Sequence, residues 1–324
     1  MQAIQVPEYG TSDVLEVVER DRPEPGPDEV VIETEVAGVN FADIMCRRGT
    51  YFEGPEPPYI PGFEAGGEVV AVGAESQLEV GQRTAMTVEE GAYAEYVCGE
   101  SDAALPLPTD MDVEQATGFS IQFITAHNVL HEWGRLSDDE RVLIHAAAGG
   151  VGNAAVQLAD KTDAEIFATA STSEKLDFAA ELGADHCIDY TETDFVDQVL
   201  TATDGEGVDL VLDGVGGETF ERSLDILTDF SRIVTYGTAS GTHEVSFDTR
   251  SLFFENKEIL GYHLGHGMEH DPERVFAASD HLTPYLFGGE LEVSIDRRFP
   301  LTEAHRAHEH IEQRGNIGKV MLTA

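Results

Sequence analysis

The sequence predicts an α/β fold with two regimes: a compact, mostly β region, then a doubly wound parallel sheet with helices on both faces. Three observations predict it. Short alternating segments broken by Gly and Pro run from Met1 to about Ser120. Longer strand-like and helix-like segments then take turns, and a glycine-rich turn joins the first of those later strands to its helix.

In the first region Val14 to Val18, Glu29 to Val36, Glu68 to Val72, Arg83 to Thr87 and Tyr93 to Val97 read as short strands. In the second, Val142 to Ala146 is a strand, Val151 to Asp160 a helix, Glu165 to Ala170 a strand and Ser173 to Leu182 a helix. Val208 to Asp213 and Arg232 to Tyr236 are further strands. Past about Gly265 the pattern blurs into a helix-like stretch through Asp280 and a terminal strand at Lys319 to Leu322. A chain of 324 residues is about twice the ~150 of an average domain, so two domains are expected.

Charge narrows the setting. Asp and Glu number 62 against 19 Lys and Arg, a formal net charge of −43, and only Lys161, Lys175, Lys257 and Lys319 are lysines. Such a chain repels itself at low ionic strength, yet 41% hydrophobic residues in regular patterns do not suit a disordered acidic protein. At about 1 M salt the screening length falls to ~3 Å and the repulsion largely vanishes, so a halophilic setting is expected. Affinity for phosphate backbones comes from Lys and Arg, which excludes nucleic acid and anionic membrane surfaces as partners. No apolar run approaches the ~20 residues of a bilayer span. The opening Met1-Gln2-Ala3-Ile4-Gln5-Val6 alternates like a strand and lacks signal-peptide regions, so a cytoplasmic location is expected. Cys46, Cys98 and Cys187 lack a CxxC pair and read as small buried hydrophobes.

The strongest chemical signal is the strand Val142-Leu143-Ile144 running into His145-Ala146-Ala147-Ala148-Gly149-Gly150-Val151-Gly152 and then a helical stretch. Ala147, Gly149 and Gly152 take the places of the glycines in G-x-G-x-x-G. Glycine there lets the backbone approach a pyrophosphate and lets helix and strand pack closely, while the helix N-terminus offers free N–H donors. The bland alternative is a tight strand-to-helix turn without a ligand. A unit that binds NAD places a carboxylate at the end of the next strand, about 20 residues on. Here Ala170-Ser171-Thr172-Ser173-Glu174-Lys175 puts hydroxyls and a scarce lysine in that neighbourhood. A 2′-phosphate wants donors and positive charge, so NADPH is the expected cofactor; otherwise Lys175 is a solvated helix residue.

The chain resembles the medium-chain dehydrogenase/reductase superfamily, and within it the zinc-independent quinone oxidoreductases, over nearly its whole length. The residues that carry the likeness are Gly38-Val39-Asn40-Phe41-Ala42-Asp43, Arg48-Gly49-Thr50-Tyr51, Pro58-Tyr59-Ile60-Pro61-Gly62-Phe63-Glu64-Ala65-Gly66-Gly67 and Gly91-Ala92-Tyr93-Ala94-Glu95-Tyr96-Val97. The glycine turn, Glu181-Leu182-Gly183-Ala184-Asp185 running to Asp189-Tyr190, Asp213-Gly214-Val215-Gly216-Gly217 and Ile317-Gly318-Lys319-Val320 complete it. The resemblance implies a GroES-like β-barrel catalytic domain, residues 1–120 and 265–324, interrupted by a Rossmann domain, residues 121–264. It implies substrate and nicotinamide meeting in the cleft between them, and a homodimer through Rossmann edge strands near Glu258 to Leu264.

It also implies roles. Gly149, Gly150, Val151 and Gly152 would face the pyrophosphate, Ser171 and Lys175 the 2′-phosphate and Tyr190 the adenine. Thr125, Tyr236 and Gly237 would lie at the nicotinamide end, and Lys319 would reach the cleft. Tyr190 and Tyr236 also read as half-buried rings, and Thr125 as a plain helix residue. The zinc-ligand places of the alcohol dehydrogenase branch hold Asn40 and Phe63, neither of them a strong zinc ligand, so no metal is expected. The patches His263 to His270 and His305 to His310 suit exposed helix or loop faces.

Without a Lewis acid, reduction of an electron-poor acceptor is favoured over alcohol oxidation. The expected reaction is hydride transfer to a quinone or similar conjugated carbonyl, with Asn40 and Tyr51 as candidate donors to the developing oxyanion. Asn40 also reads as a strand-end residue satisfying backbone, and Tyr51 as a packing ring. An enal, enone or enoyl thioester is the alternative acceptor, its pocket shaped by Gly49 to Pro58 and Phe247 to Tyr262, where Arg250 and Lys257 would suit a CoA ester. A non-catalytic NADPH-binding protein is the alternative of another class.

Overall fold

The computed structural model describes residues 1–324, the side chain of Asp280 excepted. Two compact units divide the chain, Met1–Ile121 with Pro284–Ala324 and Gln122–Thr283. The second junction thus falls at residue 283 rather than the expected 264. The reason is local: Asn128 Nδ2 donates at 3.0 Å to both the Tyr262 hydroxyl and the Val275 carbonyl, which ties residues beyond 264 to the second unit.

The first unit contains β1 (Gln2–Gln5), β2 (Glu16–Glu19), β3 (Glu29–Val39), α1 (Phe41–Arg48), β4 (Glu64–Val72), β5 (Arg83–Thr87), β6 (Tyr96–Glu100), β7 (Ala104–Pro106) and the start of α2 (Val113–His127). The second carries β8 (Arg141–Ile144), α3 (Gly150–Ala159), β9 (Glu165–Ala170), α4 (Ser173–Glu181), β10 (His186–Asp189), α5 (Phe195–Ala202), β11 (Val208–Asp213), α6 (Glu218–Ser223), β12 (Leu227–Thr235), α7 (Thr249–Glu255), β13 (Glu258–Gly261), α8 (Leu264–His270) and most of α9 (Pro272–Phe287). The chain then returns to the first unit with β14 (Ile295–Pro300), α10 (Ala304–Glu312) and β15 (Lys319–Thr323).

In the first unit the strands run in the order β14-β15-β3-β4-β5-β7, with β6 also on β3. The long β3 forms ladders with β4, β6 and β15, and its Val30, Val31 and Ile32 are wholly buried. The side chains of Val30 and Ile32 join Val69, Met86, Val97 and Leu322 in the core. Helix α10 buries Ala304, Ala307, His308 and Ile311, the one-sided spacing of an amphipathic helix, although His308 is polar.

All strand pairs of the second unit are parallel, in the order β10-β9-β8-β11-β12-β13. Val142, Leu143 and Ile144 of β8 and Leu210, Val211 and Leu212 of β11 are 0% exposed, as strands covered on both faces require. The strand order reverses between β8 and β11. At such a switch point the loops leave the carboxyl ends of the strands in opposite directions and open a crevice, the usual place for a ligand in this architecture. Among the described residues no helix is long and apolar enough to cross a membrane.

Candidate functional site

The turn Ala146 to Gly152 stands at the carboxyl end of β8, beside the switch point. Gly149 is the N-cap residue of α3, with φ −77° and ψ 177°, and no side chain caps the helix. Its first-turn N–H groups are therefore left to a ligand, with the positive end of the helix dipole behind them. A Cβ at Gly152 would lie 2.2 Å from the Ala146 carbonyl oxygen, so close helix–strand packing there demands glycine. One at Gly150 would meet the buried Gln122 side chain at 2.1 Å. Val151 is half-buried between them.

The other expected cofactor residues of this unit gather at the same sheet end. Ser171 follows β9 directly, and the Thr172 hydroxyl then caps α4 by accepting from the Lys175 N–H at 3.4 Å. Lys175 is half-buried on the first turn. Tyr190, exposed just past β10, donates its N–H to the Ala170 carbonyl at 3.3 Å, which brings it to the end of β9. After β11 the buried Asp213 carboxylate accepts from the Val215 and Gly216 N–H groups and shapes the loop; burial raises its pKa. A Cβ on Gly214 would lie 2.9 Å from the Tyr236 ring, so Tyr236 and Gly237 pack tightly on that loop. Thr125, on α2, is 7% exposed and hydrogen-bonded to the Tyr262 hydroxyl.

A second constellation lies inside the first unit. Register places Gly38 opposite Met321 of β15 and Ala37 opposite Ala65 of β4, so the ends of β3, β4 and β15 bring Asn40, Glu64 and Lys319 together. Lys319 and Glu64 have 0% side-chain exposure and form an ion pair. The Lys319 ammonium donates to Asn40 Oδ1 at 2.8 Å, and Asn40 Nδ2 donates to Glu64 Oε1 at 3.0 Å. Lys319, expected to reach the cleft as a cofactor contact, is enclosed, with its ammonium held by Glu64 and Asn40. Gly38 makes the room, because a Cβ there would lie 2.7 Å from Lys319 Cε and closer still to Glu64.

A chain of polar groups continues from Asn40 through the unit. The Asn40 N–H donates to Asp43 Oδ2 at 2.7 Å, Tyr93 Oη donates to the same oxygen at 3.1 Å, and Tyr93 Oη lies 3.2 Å from His308 Nε2. His308 Nδ1 lies 3.2 Å from Arg47 Nη1, and Arg47 also reaches Glu312. Guanidinium only donates, so His308 Nδ1 accepts and its proton sits on Nε2, facing Tyr93. Burial pushes the Asp43 carboxyl up to about 7, opposed by the Asn40 N–H; burial and then the Arg47 charge hold His308 down to about 3. His308 is 0% exposed, contrary to the exposed face expected for His305 to His310.

Tyr51 packs in an apolar cluster with Val6, Cys46, Tyr59 and Phe63, its ring 6.2 Å from that of Phe63, and burial raises its pKa. As a zinc site the pair Asn40 and Phe63 does not fit. Phe63 has no lone pair to give, and Lys319 sets a positive charge against Asn40 Oδ1, where a cation would need electron density. Elsewhere, His266, Glu269 and His270 on α8 are exposed, with ligand-capable atoms within 4.8 Å of one another. The cysteines are free; only Cys46 is buried, while Cys98 is intermediate and Cys187 exposed, unlike the buried hydrophobes expected.

Sequence reasoning missed Glu64, Tyr93, Arg47 and His308 as members of a polar interior. One signal was available for Glu64, a carboxylate set among small and apolar residues at the head of a strand.

The chain matches the model of the alcohol dehydrogenase GroES-like domain over residues 26–109 and that of the zinc-binding dehydrogenases over residues 150–281. It is 34% identical to a quinone oxidoreductase of Pseudomonas aeruginosa, over 98% of both chains. Escherichia coli quinone oxidoreductase, solved in complex with NADPH, superposes with a TM-score of 0.92 at 31% identity, over 100% of both chains. The CurK enoyl reductase superposes with a TM-score of 0.88 at 30% identity, over 99% of this chain and 98% of that one. The chain accordingly belongs to the quinone oxidoreductase family of the medium-chain dehydrogenase/reductase superfamily and is an oxidoreductase of that type.

Proposed function

We propose that this protein is an NADPH-dependent reductase that delivers hydride to a quinone or a similar electron-poor conjugated carbonyl, without a metal. The observation that carries the reading is the glycine turn at the switch point, with Ser171 and Lys175 where a ribose-binding carboxylate would otherwise stand. The NADPH complex of the Escherichia coli relative supports the same cofactor. When bound, NADPH supplies a hydride from C4 of its nicotinamide. Gly149, Gly150, Val151 and Gly152 hold the pyrophosphate through backbone N–H groups, Ser171 and Lys175 hold the 2′-phosphate, and Tyr190 borders the adenine. Tyr236 and Gly237 border the nicotinamide end; Thr125 supports it through Tyr262. Asn40 Nδ2 donates to the acceptor oxygen as charge develops on it, Tyr51 lends an apolar wall, and water supplies the last proton.

The CurK likeness keeps enoyl reduction as a second reading. Against a CoA ester stands the state of the two basic residues that would suit it. Arg250 is paired with Asp248, its Nε donating at 2.8 Å, and Lys257 is paired with Glu255. The net charge of −43 supports a halophilic, cytoplasmic protein, and the edge position of β13 supports a homodimer through that strand.

The test is a panel of a soluble quinone, an enal and an enoyl thioester, each with NADPH and with NADH, in about 2 M salt, where charges are screened beyond a few ångströms. Quinone turnover with NADPH is expected. Lys175→Glu should weaken NADPH by ~10-fold or more, as loss of one charge-assisted contact would, and leave NADH nearly unchanged. Tighter NADH binding by the wild type would refute the cofactor assignment. NADPH binding without turnover of any acceptor would leave a non-catalytic binder.

A further inference from the structure

We propose that Glu64 and Lys319 are positioning residues that lock the Asn40 carboxamide in one orientation, so that a single N–H of Nδ2 remains for the acceptor. The proposal rests on the reading of Asn40 as the donor to the acceptor oxygen.

The two ends of an asparagine amide have nearly the same shape, so packing alone does not choose between them. Chemistry chooses here. The Lys319 ammonium has only donors and binds only the oxygen end; a Glu64 carboxylate has only acceptors and binds only the nitrogen end. A flipped amide would set N–H against ammonium and carbonyl against carboxylate. With Oδ1 held by Lys319 and one Nδ2 proton held by Glu64, the second proton is what the amide has left to offer.

Stability does not account for this arrangement. Both charges have no solvent exposure, and Glu64 Oε2 has no hydrogen-bond partner, so the carboxylate is only half satisfied. Apolar residues of similar volume are commonly no less stable than such a pair. The fold also makes specific room for it. Gly38 leaves the space that Glu64 and Lys319 occupy, and three strands converge with Asn40 directly after β3, Glu64 opening β4 and Lys319 opening β15.

The experiment is a double-mutant cycle of Asn40→Ala and Glu64→Gln, with Lys319→Met and Lys319→Arg alongside. It reads kcat with NADPH and a soluble quinone, the NADPH Kd and the urea midpoint, at fixed high salt. The side-chain amide resonances of Asn40, assigned by their loss in Asn40→Asp, are recorded without cofactor or acceptor. Asn40→Ala should lower kcat by ~100-fold, the scale of one lost oxyanion donor. Glu64→Gln, which offers either end of its own amide, should lower kcat by ~10-fold or more and expose the Asn40 amide protons to exchange, with the NADPH Kd within about twofold of wild type. In the Asn40→Ala background Glu64→Gln should cost nothing further. Lys319→Arg should keep more activity than Lys319→Met at a matched folded fraction.

Equal loss from Glu64→Gln in both backgrounds would overturn the proposal, as would unchanged amide resonances in Glu64→Gln. Should Lys319→Met not fold, the Glu64→Gln arm decides alone. Failure of the wild type to turn over any acceptor would sink the functional reading instead, and the resonances would still decide whether Glu64 and Lys319 hold the amide.

Discussion

The two units build their sites from different materials. In the second, the cofactor turn is mostly backbone: glycines held against the Ala146 carbonyl and Gln122, with no side-chain cap on α3. Its buried histidine, His145, is satisfied by two neutral hydroxyls, Thr169 and Ser223, each at 2.9 Å. In the first unit the interior around Asn40 is ionic, with Glu64, Lys319, Arg47 and Asp43 all at 1% exposure or less. Backbone donors hold an anion whatever its exact outline, whereas an array of side chains can impose direction on one amide. The difference teaches that the pyrophosphate turn depends on its backbone and on Gly150 and Gly152, whereas the orientation of Asn40 depends on the charged side chains beside it.

The sharpest way to break that contrast is Lys319→Met. It strands the Glu64 carboxylate without exposure and without its cation, a change that typically costs ~3–5 kcal/mol. Lys319→Met with Glu64→Leu should recover most of the loss, since a buried pair replaced by apolar residues is often neutral. His145→Leu strips the Thr169 hydroxyl of its partner, while Ser223 keeps its bond to the Thr219 carbonyl, and should cost ~1–3 kcal/mol. The single tryptophan, Trp133, belongs to the second unit and follows its unfolding by fluorescence, while circular dichroism follows both. In Lys319→Met the dichroism transition should move further than the fluorescence transition. Coincident shifts would mean that the units unfold together.

The same contrast explains what could be read in the chain itself. The turn at Gly149 to Gly152 is contiguous, so its spacing announces it, and β9 and β11 fall on the residues expected from their apolar runs. Asn40, Glu64 and Lys319 are far apart in the chain, the members of the ion pair being separated by 255 positions. No local pattern links them; only the register of β3, β4 and β15 does. Lys319 therefore read only through the family resemblance of its Gly-Lys pair, and His308 read as an exposed histidine, because a polar residue defaults to the surface until a partner buried beside it is known. The junction at residue 283 was hidden for the same reason, since it depends on Asn128 reaching Val275.

Within the ionic interior, pH offers a finer probe, because two members carry opposite signs. His308 is held at about 3 against an ordinary 6.5, so the stability it contributes is present above 6.5 and is lost as pH falls toward 3. Asp43 is raised to about 7 against an ordinary 3.8, so its contribution is present below 3.8 and is lost as pH rises through 7. His308→Gln should thus gain on the wild type as the solution is acidified below 6.5. Asp43→Asn should gain on it as pH climbs from about 4 toward 7. Urea midpoints across that range at constant salt measure both, and slopes of the same sign would refute the assignment.

The smallest expected change in stability comes with one of the largest in binding, at Gly149. Its extended backbone accepts any residue, and a Cβ would sit 3.1 Å from the Ala146 carbonyl, a contact relieved by a few tenths of an ångström. Gly149→Asp would therefore supply the side-chain cap that α3 lacks, though Gly is itself a fair N-cap, so the helix should gain only a few tenths of a kcal/mol. The same carboxylate would occupy the N–H groups meant for the pyrophosphate and set a negative charge against it. NADPH affinity measured by fluorescence titration should fall by ~100-fold or more while the urea midpoint holds or rises slightly. Retained affinity would mean that these N–H groups do not carry the cofactor, and that the backbone-built site lies elsewhere along the strand ends.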